Sequence, residues 1–441
     1  MNTFQRNYSR RAIIAIAAWN VIVLGYIASH LLLLGFLPPQ FFQFSTDSFM
    51  DFFHSTYWAY HDERYSDWGA IQPPLAFAIA KLTSLNECFL FDGFAARDTC
   101  GLPSMYVMWS VALGAAYLNA RMFTKDRIDL VLCFVSIATT FPFLHAIERG
   151  NLVLFGYAFL VLSVNSKSKL AKGFFLACAV NIKQYLAILL GFTLLRRNYS
   201  ALISFMVSIL VVMTMAALYL PARDYFAFVE NMFPYIEAEK IGDSILRVPY
   251  SASVNGFISF SATVDAQYFF DALSEWHSFF DTDSIFSYAI ALQTLVFALV
   301  AIVGVGLLRF HSQTSEAYVS YASLVCLFNL SDATSSYALI FILAYLPKVL
   351  PELTRKEHIA LFVLFQPFDA MLLEIGTFAN EISFISGETV TTLIGFTYGS
   401  IFRPMSMIFL LAFIALRLLS TNIASGTAER DAQCSTNPNA A

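Results

Sequence analysis

Residues 173–192 read GFFLACAVNIKQYLAILLGF, with one charge, Lys183, between two apolar arms. Each arm is about ten residues long, and at 1.5 Å rise per residue neither crosses a hydrocarbon core of roughly 30 Å. The stretch therefore predicts a shallow hairpin, spans near 170–182 and 185–195, with NIKQY at its tip. Bent backbone at membrane depth is tolerated only where protein or water covers it. Lys183 is thus expected to be sunk in protein, where a cation needs an anion.

The rest of the chain supports a membrane setting. Of 441 residues, 58% are hydrophobic and 13% charged, and the mean hydropathy is +0.64, outside the balance of a soluble domain of this length. Apolar runs predict an all-α polytopic protein with spans near 13–37, 103–120, 128–143, 151–165, 170–182, 185–195, 200–220, 285–308, 317–330, 337–350, 358–375 and 400–419. Residues 1–420 read as one membrane domain and 421–441 as a disordered cytoplasmic tail. The first apolar stretch is too long for a signal-peptide core and lacks a small-residue cleavage site, so it reads as a retained helix. A net charge of −5 with scattered basic residues gives no footprint for nucleic acid.

The basic residues fall in an alternating order. With the N-terminus inside, Arg121, Lys125, Arg127, Lys167, Lys169, Lys172, Arg196, Arg197, Arg309, Lys348, Arg355 and Lys356 all lie in cytoplasmic loops, as the positive-inside rule requires. Both termini are then cytoplasmic. The acids gather in two outer segments, 38–102 and 221–284, which are rich in aromatics and suit short interfacial helices in the first and fourth extracytoplasmic segments; the aromatics by themselves also fit an ordinary interfacial belt.

Against that order, Arg149 and Lys183 are cations on the outer side, each next to an asparagine, Asn151 and Asn181. Two readings stay open. Glu148 pairs with Lys183, or Lys183 snorkels to the headgroups; alternatively the two cations seat a lipid phosphate, the anion that membranes supply at that depth. Arg403, at the start of the last span, either joins that seat or anchors the helix end. In the first outer segment, Asp47 and Asp51 stand one helical turn apart, and either carboxylate can take a proton from a hydroxyl or simply be solvated. No metal-ligand spacing, phosphate-cradling glycine loop or nucleophile elbow occurs, so neither a metal nor a cofactor is expected. Cys88 and Cys100 share the first outer segment, where an oxidising compartment allows a disulfide.

The run ERGNLVLFGYAFLVLSVNSKSKLAKGFFLACAVNIKQYLAILLGFTLLRRNY resembles the central signature of bacterial C-superfamily glycosyltransferases, in the family of the polyprenol-phosphomannose-dependent alpha-mannosyltransferases, glycosyltransferase family 87. Gly150-Asn151 and Lys183-Gln184-Tyr185 match that signature in order and spacing, although the usual proline after the tyrosine is Leu186. Asp51-Phe52, Tyr57, Tyr60, Tyr65 and Pro73-Pro74-Leu75 are similar to the family's first outer segment, with Gln72 and Trp58 at positions usually held by tyrosine. SASVNGFISF and SSYALIFILAYL, which holds Tyr337, match later segments loosely.

The resemblance implies a hexosyl transfer, of mannose in the family it resembles, from a polyprenyl-phosphate sugar to a glycolipid or glycan acceptor at the outer face of a bacterial inner membrane. The catalytic aspartate falls by position on Asp51, with Asp47 second. Lys183, Arg149 and Arg403 become candidates for the donor phosphate. Tyr57, Tyr60, Gln72, Asn151, Tyr185 and Tyr337 become candidates for the substrate pocket. Two other classes remain in view, a lipid-glycan flippase, for which the short broken pair 170–195 and Asp369 speak, and a polymerase or ligase using a diphosphate carrier.

Overall fold

The computed structural model describes residues 3–35, 48–195, 197–238, 282–310, 314–331, 335–368, 372–382 and 386–435. A first helix, α1 (Thr3–Leu34), leads to a segment of short pieces. These are α2 (Met50–Tyr60), a 3-10 turn Asp62–Arg64, α3 (Pro74–Leu82), a 3-10 turn Asn86–Phe89 and α4 (Gly93–Asp98). Next come α5 (Leu102–Phe123), α6 (Arg127–Ala138), α7 (Phe141–Arg149), α8 (Val153–Asn165) and α9 (Lys169–Val180). A 3-10 stretch Gln184–Leu189 continues into α10 (Leu190–Leu195), followed by α11 (Tyr199–Ala217) and α12 (Asp224–Ala238). The later elements are α13 (Thr282–Phe310), α14 (Glu316–Leu330), a 3-10 turn Ser336–Leu339 with α15 (Ile340–Leu343), α16 (Leu346–Val349), α17 (Arg355–Phe365), strands β1 (Leu372–Ile382) and β2 (Thr389–Thr397), and α18 (Tyr398–Ser435).

Local chemistry sets many of these boundaries. Asp126 caps α6 by accepting from the amides of Ile128 and Asp129, Ser168 caps α9 through Ala171, and Asn198 caps α11 through Ala201, each satisfying donors that a helix start leaves open. Proline occupies the first turn of α3, α5 and α7, where its missing N–H costs nothing. Thr354 and Glu357 form a reciprocal capping box on α17.

The expected twelve spans are corrected. Among the described residues, four stretches are long and apolar enough to cross a membrane: Ile14–Leu33, Tyr199–Ala217, Ala291–Arg309 and Ile401–Ser420. The bent pair α6 and α7, meeting at 57°, makes a fifth if taken as one span. The physical reason is visible in α8, read as a span at 151–165. Its 13 residues reach only about 20 Å, and Val153, Leu154, Tyr157, Leu160 and Val161 are wholly buried. A short helix that is apolar on every side is a core helix enclosed by protein. It packs between α5 and α9, and α9 packs on α11.

Two further departures lie near the C-terminus. The expected span 358–375 stops at Phe365, before Gln366-Pro367, and the chain then forms an antiparallel hairpin pairing Gly376 with Gly395 and Ile382 with Thr389. Gly387 sits in its turn at φ 71°, a conformation that favours glycine. Apart from this hairpin the described architecture is that of an all-α membrane protein. The last helix runs on to Ser435, into the segment read from sequence as a tail; Asp369 lies outside the described residues.

Two polar layers sit at opposite ends of α8 and α9. At one end, Lys172 pairs with Glu316 and the Lys348 ammonium donates to the Val164 carbonyl, while Arg417 donates to the Glu352 carbonyl at 2.6 Å. At the other end, Asn151 precedes α8 and Lys183 follows α9.

Candidate active site

The second polar layer is built around Gly150. It ends α7 at φ 62°, in the left-handed region where a side chain is strained. A Cβ there would lie 2.8 Å from the Phe49 carbonyl oxygen and 2.9 Å from the Phe52 Cβ, so glycine lets the end of α7 touch the start of α2. The contact is sealed by the Phe49 amide, which donates to the Glu148 carbonyl at 2.7 Å.

This contact brings three side chains together. Asp51, in the first turn of α2, accepts from Arg149 Nη2 at 3.0 Å on one carboxylate oxygen and from Asn151 Nδ2 at 2.7 Å on the other. Asn151 is itself held by accepting from the Val153 amide at 2.9 Å, which also caps α8. The Asp51 side chain keeps 29% exposure, so a ligand can reach it. Burial would raise its pKa, but the charge and hydrogen bond of Arg149, with Asn151 and Lys183, hold it below the ordinary carboxylate value.

Lys183 stands in extended backbone between α9 and the 3-10 stretch, close enough to Asp51 for the two charges to act on each other. Its ammonium lies 5.9 Å over the Tyr337 ring, and among the described residues it forms neither a hydrogen bond nor an ion pair. The charge acting on it is therefore Asp51; a Glu148 to Lys183 pair is not formed among the described contacts.

Behind Tyr337 lies a chain of stacked groups. The His145 ring is 5.6 Å from Tyr337 and 5.3 Å from Phe141, and the Arg403 guanidinium lies 3.9 Å over Phe141 and donates to Ser336 Oγ at 3.3 Å. Arg403 is thus a fully buried layer behind the Lys183 position. Tyr185 packs edge-on against Phe328 and Phe341, its buried hydroxyl without a partner among the described residues. His145 was not singled out from sequence, though its spacing to Arg149, one helical turn on α7, was a usable signal.

The other expected pocket residues sit elsewhere. Tyr60 is tied by its hydroxyl to Ser84 and the Lys81 carbonyl and stacks on Phe89, pinning α2 to α3. Tyr57 stacks on His61 and Trp68, about 9 Å further along α2 than Asp51. The Gln72 carbonyl accepts from Tyr65 Oη at 2.7 Å, and its side-chain oxygen is buried without a partner among the described residues. Asp47 lies outside the described residues. Among those described, no three of His, Cys, Asp and Glu come together as a metal site.

An apolar cavity of about 520 Å³ is lined by Val180, Asn181, Gln184, Met213, Tyr225 and Phe228 among others. Two of these, Asn181 and Gln184, are close neighbours of Lys183 in sequence, while Lys183 itself is not part of the lining. On the far side of α2, a disulfide joins Cys88 to Cys100 with Cα atoms 5.5 Å apart. The loop it closes carries α4, whose Arg97 donates to the Ser48 carbonyl at 3.2 Å, just ahead of α2.

Residues 104–334, just over half the chain, match the family model described as Glycosyltransferase family 87. That stretch holds Arg149, Asn151 and Lys183 but not Asp51 or Arg403. No curated protein and no solved structure matches the chain.

Proposed function

The chain belongs to glycosyltransferase family 87, and we propose that it transfers a hexose, by resemblance a mannose, from a polyprenyl phosphate to a hydroxyl of a glycolipid or glycan acceptor. Its place is a bacterial inner membrane, with both termini cytoplasmic and the reaction on the outer side. The Cys88–Cys100 disulfide supports that side, since such bonds persist in oxidising compartments.

The observation that carries the reading is the Asp51 carboxylate held by Arg149 and Asn151 near Lys183, which forms no ion pair among the described residues. Two cations face one carboxylate, which leaves a positive charge for the singly charged phosphodiester of the donor and for the monoester that departs from it. The donor's phosphate sits against Lys183 and Arg149, with Arg403 adding its charge from behind, and the first part of its chain follows the apolar cavity. The acceptor oxygen attacks the anomeric carbon from the face opposite the phosphate, and the bond to the phosphate oxygen breaks. The polyprenyl phosphate leaves with the electron pair and the proton passes to Asp51. Inversion follows from that single displacement. Fixed charge in a site with little water is often the largest catalytic term.

The test supplies the purified chain with a polyprenyl-phosphate hexose and candidate acceptor glycolipids. Transfer that persists in Asp51→Asn would remove the base assignment, and donor binding that is unchanged in Lys183→Ala would remove the phosphate seat.

A further inference from the structure

The end of α2 distal to Asp51 carries a cluster of rings that the reaction centre does not use. Tyr57 and Trp58 both lie nearly parallel to Trp68, with centroids at 5.5 and 5.8 Å and interplanar angles of 29° and 28°. His61 touches both Tyr57, at 4.2 Å, and Trp68, at 5.7 Å. All four rings are partly exposed, and Trp68 does not belong to the packing of the main core.

The loop that presents Trp68 is firmly built. Arg64, 2% exposed, donates to the carbonyls of Trp58 and Ala59 and to Asp224 at 2.6 Å. The Ala70 amide returns to the Arg64 carbonyl at 2.9 Å, and Asn231 of α12 donates to the carbonyls of Tyr65 and Ala70. Gly69, at φ 55°, makes the turn after Trp68 that closes this loop. This fixed structure holds in place a Trp68 ring that stacks on Tyr57 and Trp58 and keeps part of its surface exposed, where a ligand can meet it.

We infer that Tyr57, Trp58, His61 and Trp68 form a ledge for the sugars of an oligosaccharide acceptor that lie beyond the reacting one. This inference rests on the glycosyl-transfer reading above. Pyranose rings present C–H faces that suit the electron-rich faces of aromatics, and the exposed Asp62, Glu63 and Asp67 beside the ledge accept hydrogen bonds from hydroxyls. The same carboxylates repel anionic lipid headgroups, which argues against a membrane anchor. The near-parallel rings make a shelf and not the box of walls that encloses a quaternary ammonium. Trp58 follows Asp51 by seven residues, about 10 Å along the helix and nearly on the same side, so the shelf leads away from the proposed base.

The full-length protein in detergent is titrated calorimetrically with linear mannotetraose and with cellotetraose. Binding of at least one, weakened about tenfold in Trp68→Ala and restored in Trp68→Phe, is expected. Failure of both to bind, equal binding by Trp68→Ala, or displacement by tetramethylammonium would overturn the ledge. Binding of a polyprenyl-phosphate hexose to the same Trp68→Ala sample confirms that it is folded. Oligosaccharide binding does not require Lys183, so Lys183→Ala separates a failed ledge from a failed donor site.

Discussion

Arg149 and Asp51, 98 residues apart in sequence, form an ion pair at 3.0 Å. The residue proposed as base is therefore held by a residue proposed to meet the donor phosphate. On that proposal, a phosphate arriving at Lys183 would draw on the same guanidinium and loosen its hold on Asp51, and donor binding ahead of acceptor is the expected kinetic order.

Replacing Asp51 by Asn keeps the size of the side chain but removes its capacity to take a proton. Transfer is expected to fall by about 10²–10⁴, with binding of the polyprenyl-phosphate hexose retained. Initial rates with a labelled donor, set beside equilibrium binding, separate the two effects.

The acid limb of the rate profile should lie low. Burial acts to raise the Asp51 pKa, yet Arg149, Asn151 and Lys183 bring it below the usual value. With its pKa held below the ordinary carboxylate value, the group stays ionised through the neutral and mildly acidic range, and kcat/KM should not fall between pH 7 and 5 through its protonation. In stability the sign is the same: the contribution of a depressed carboxylate is complete above its unfolded pKa and disappears as pH falls through the folded one. Removing Arg149 by Arg149→Met should move the acid limb upward, measured by a pH series of both variants.

Gly150→Ala places a methyl 2.8 Å from the Phe49 carbonyl oxygen and a side chain at positive φ. The conformational cost is about 1–2 kcal/mol, and relief of the clash separates α7 from α2. Transfer should drop far more than thermal stability does, because Arg149 and Asn151 lose their register on Asp51. A thermal unfolding curve beside an activity assay reads this out.

Arg64 and Asp224 join the α2–α3 loop to α12 through a buried ion pair at 2.6 Å. Removing Asp224 leaves the buried Arg64 with the exposed Asp62 at 3.7 Å as its remaining carboxylate, at a cost of up to about 3–5 kcal/mol. Asp224→Ala should loosen α12 from the α2–α3 loop, detected as faster hydrogen exchange in residues 224–238 with α8 unaffected.

The membrane class was legible in sequence, because hydropathy reports directly on the solvent each segment meets. The number of crossings was not. Val153–Asn165 and a true span are alike in composition, and what distinguishes this helix is its 13-residue length together with its burial in protein. The β-branched run TVTTLIGFT at 389–397 carries a strand signal, which a reading by apolar spans, 358–375 and then 400–419, left unassigned. At the site, Asp51, Arg149 and Lys183 were each identifiable, whereas their pairing was not. Glu148 was the local choice of anion for Lys183, and no spacing rule joins residues 51 and 149. The contact depends on Gly150 admitting the backbone of Phe49, which is a matter of three-dimensional approach.

The apolar cavity that Asn181 and Gln184 help to line is walled on one side by Tyr199–Ala217, a helix of membrane length with most of its surface outward. A ligand following that wall arrives by sideways diffusion within the leaflet and never crosses bulk water. The quantity that governs saturation is then the mole fraction of donor among the surrounding amphiphiles. Adding empty micelles at constant donor molarity should slow turnover by surface dilution.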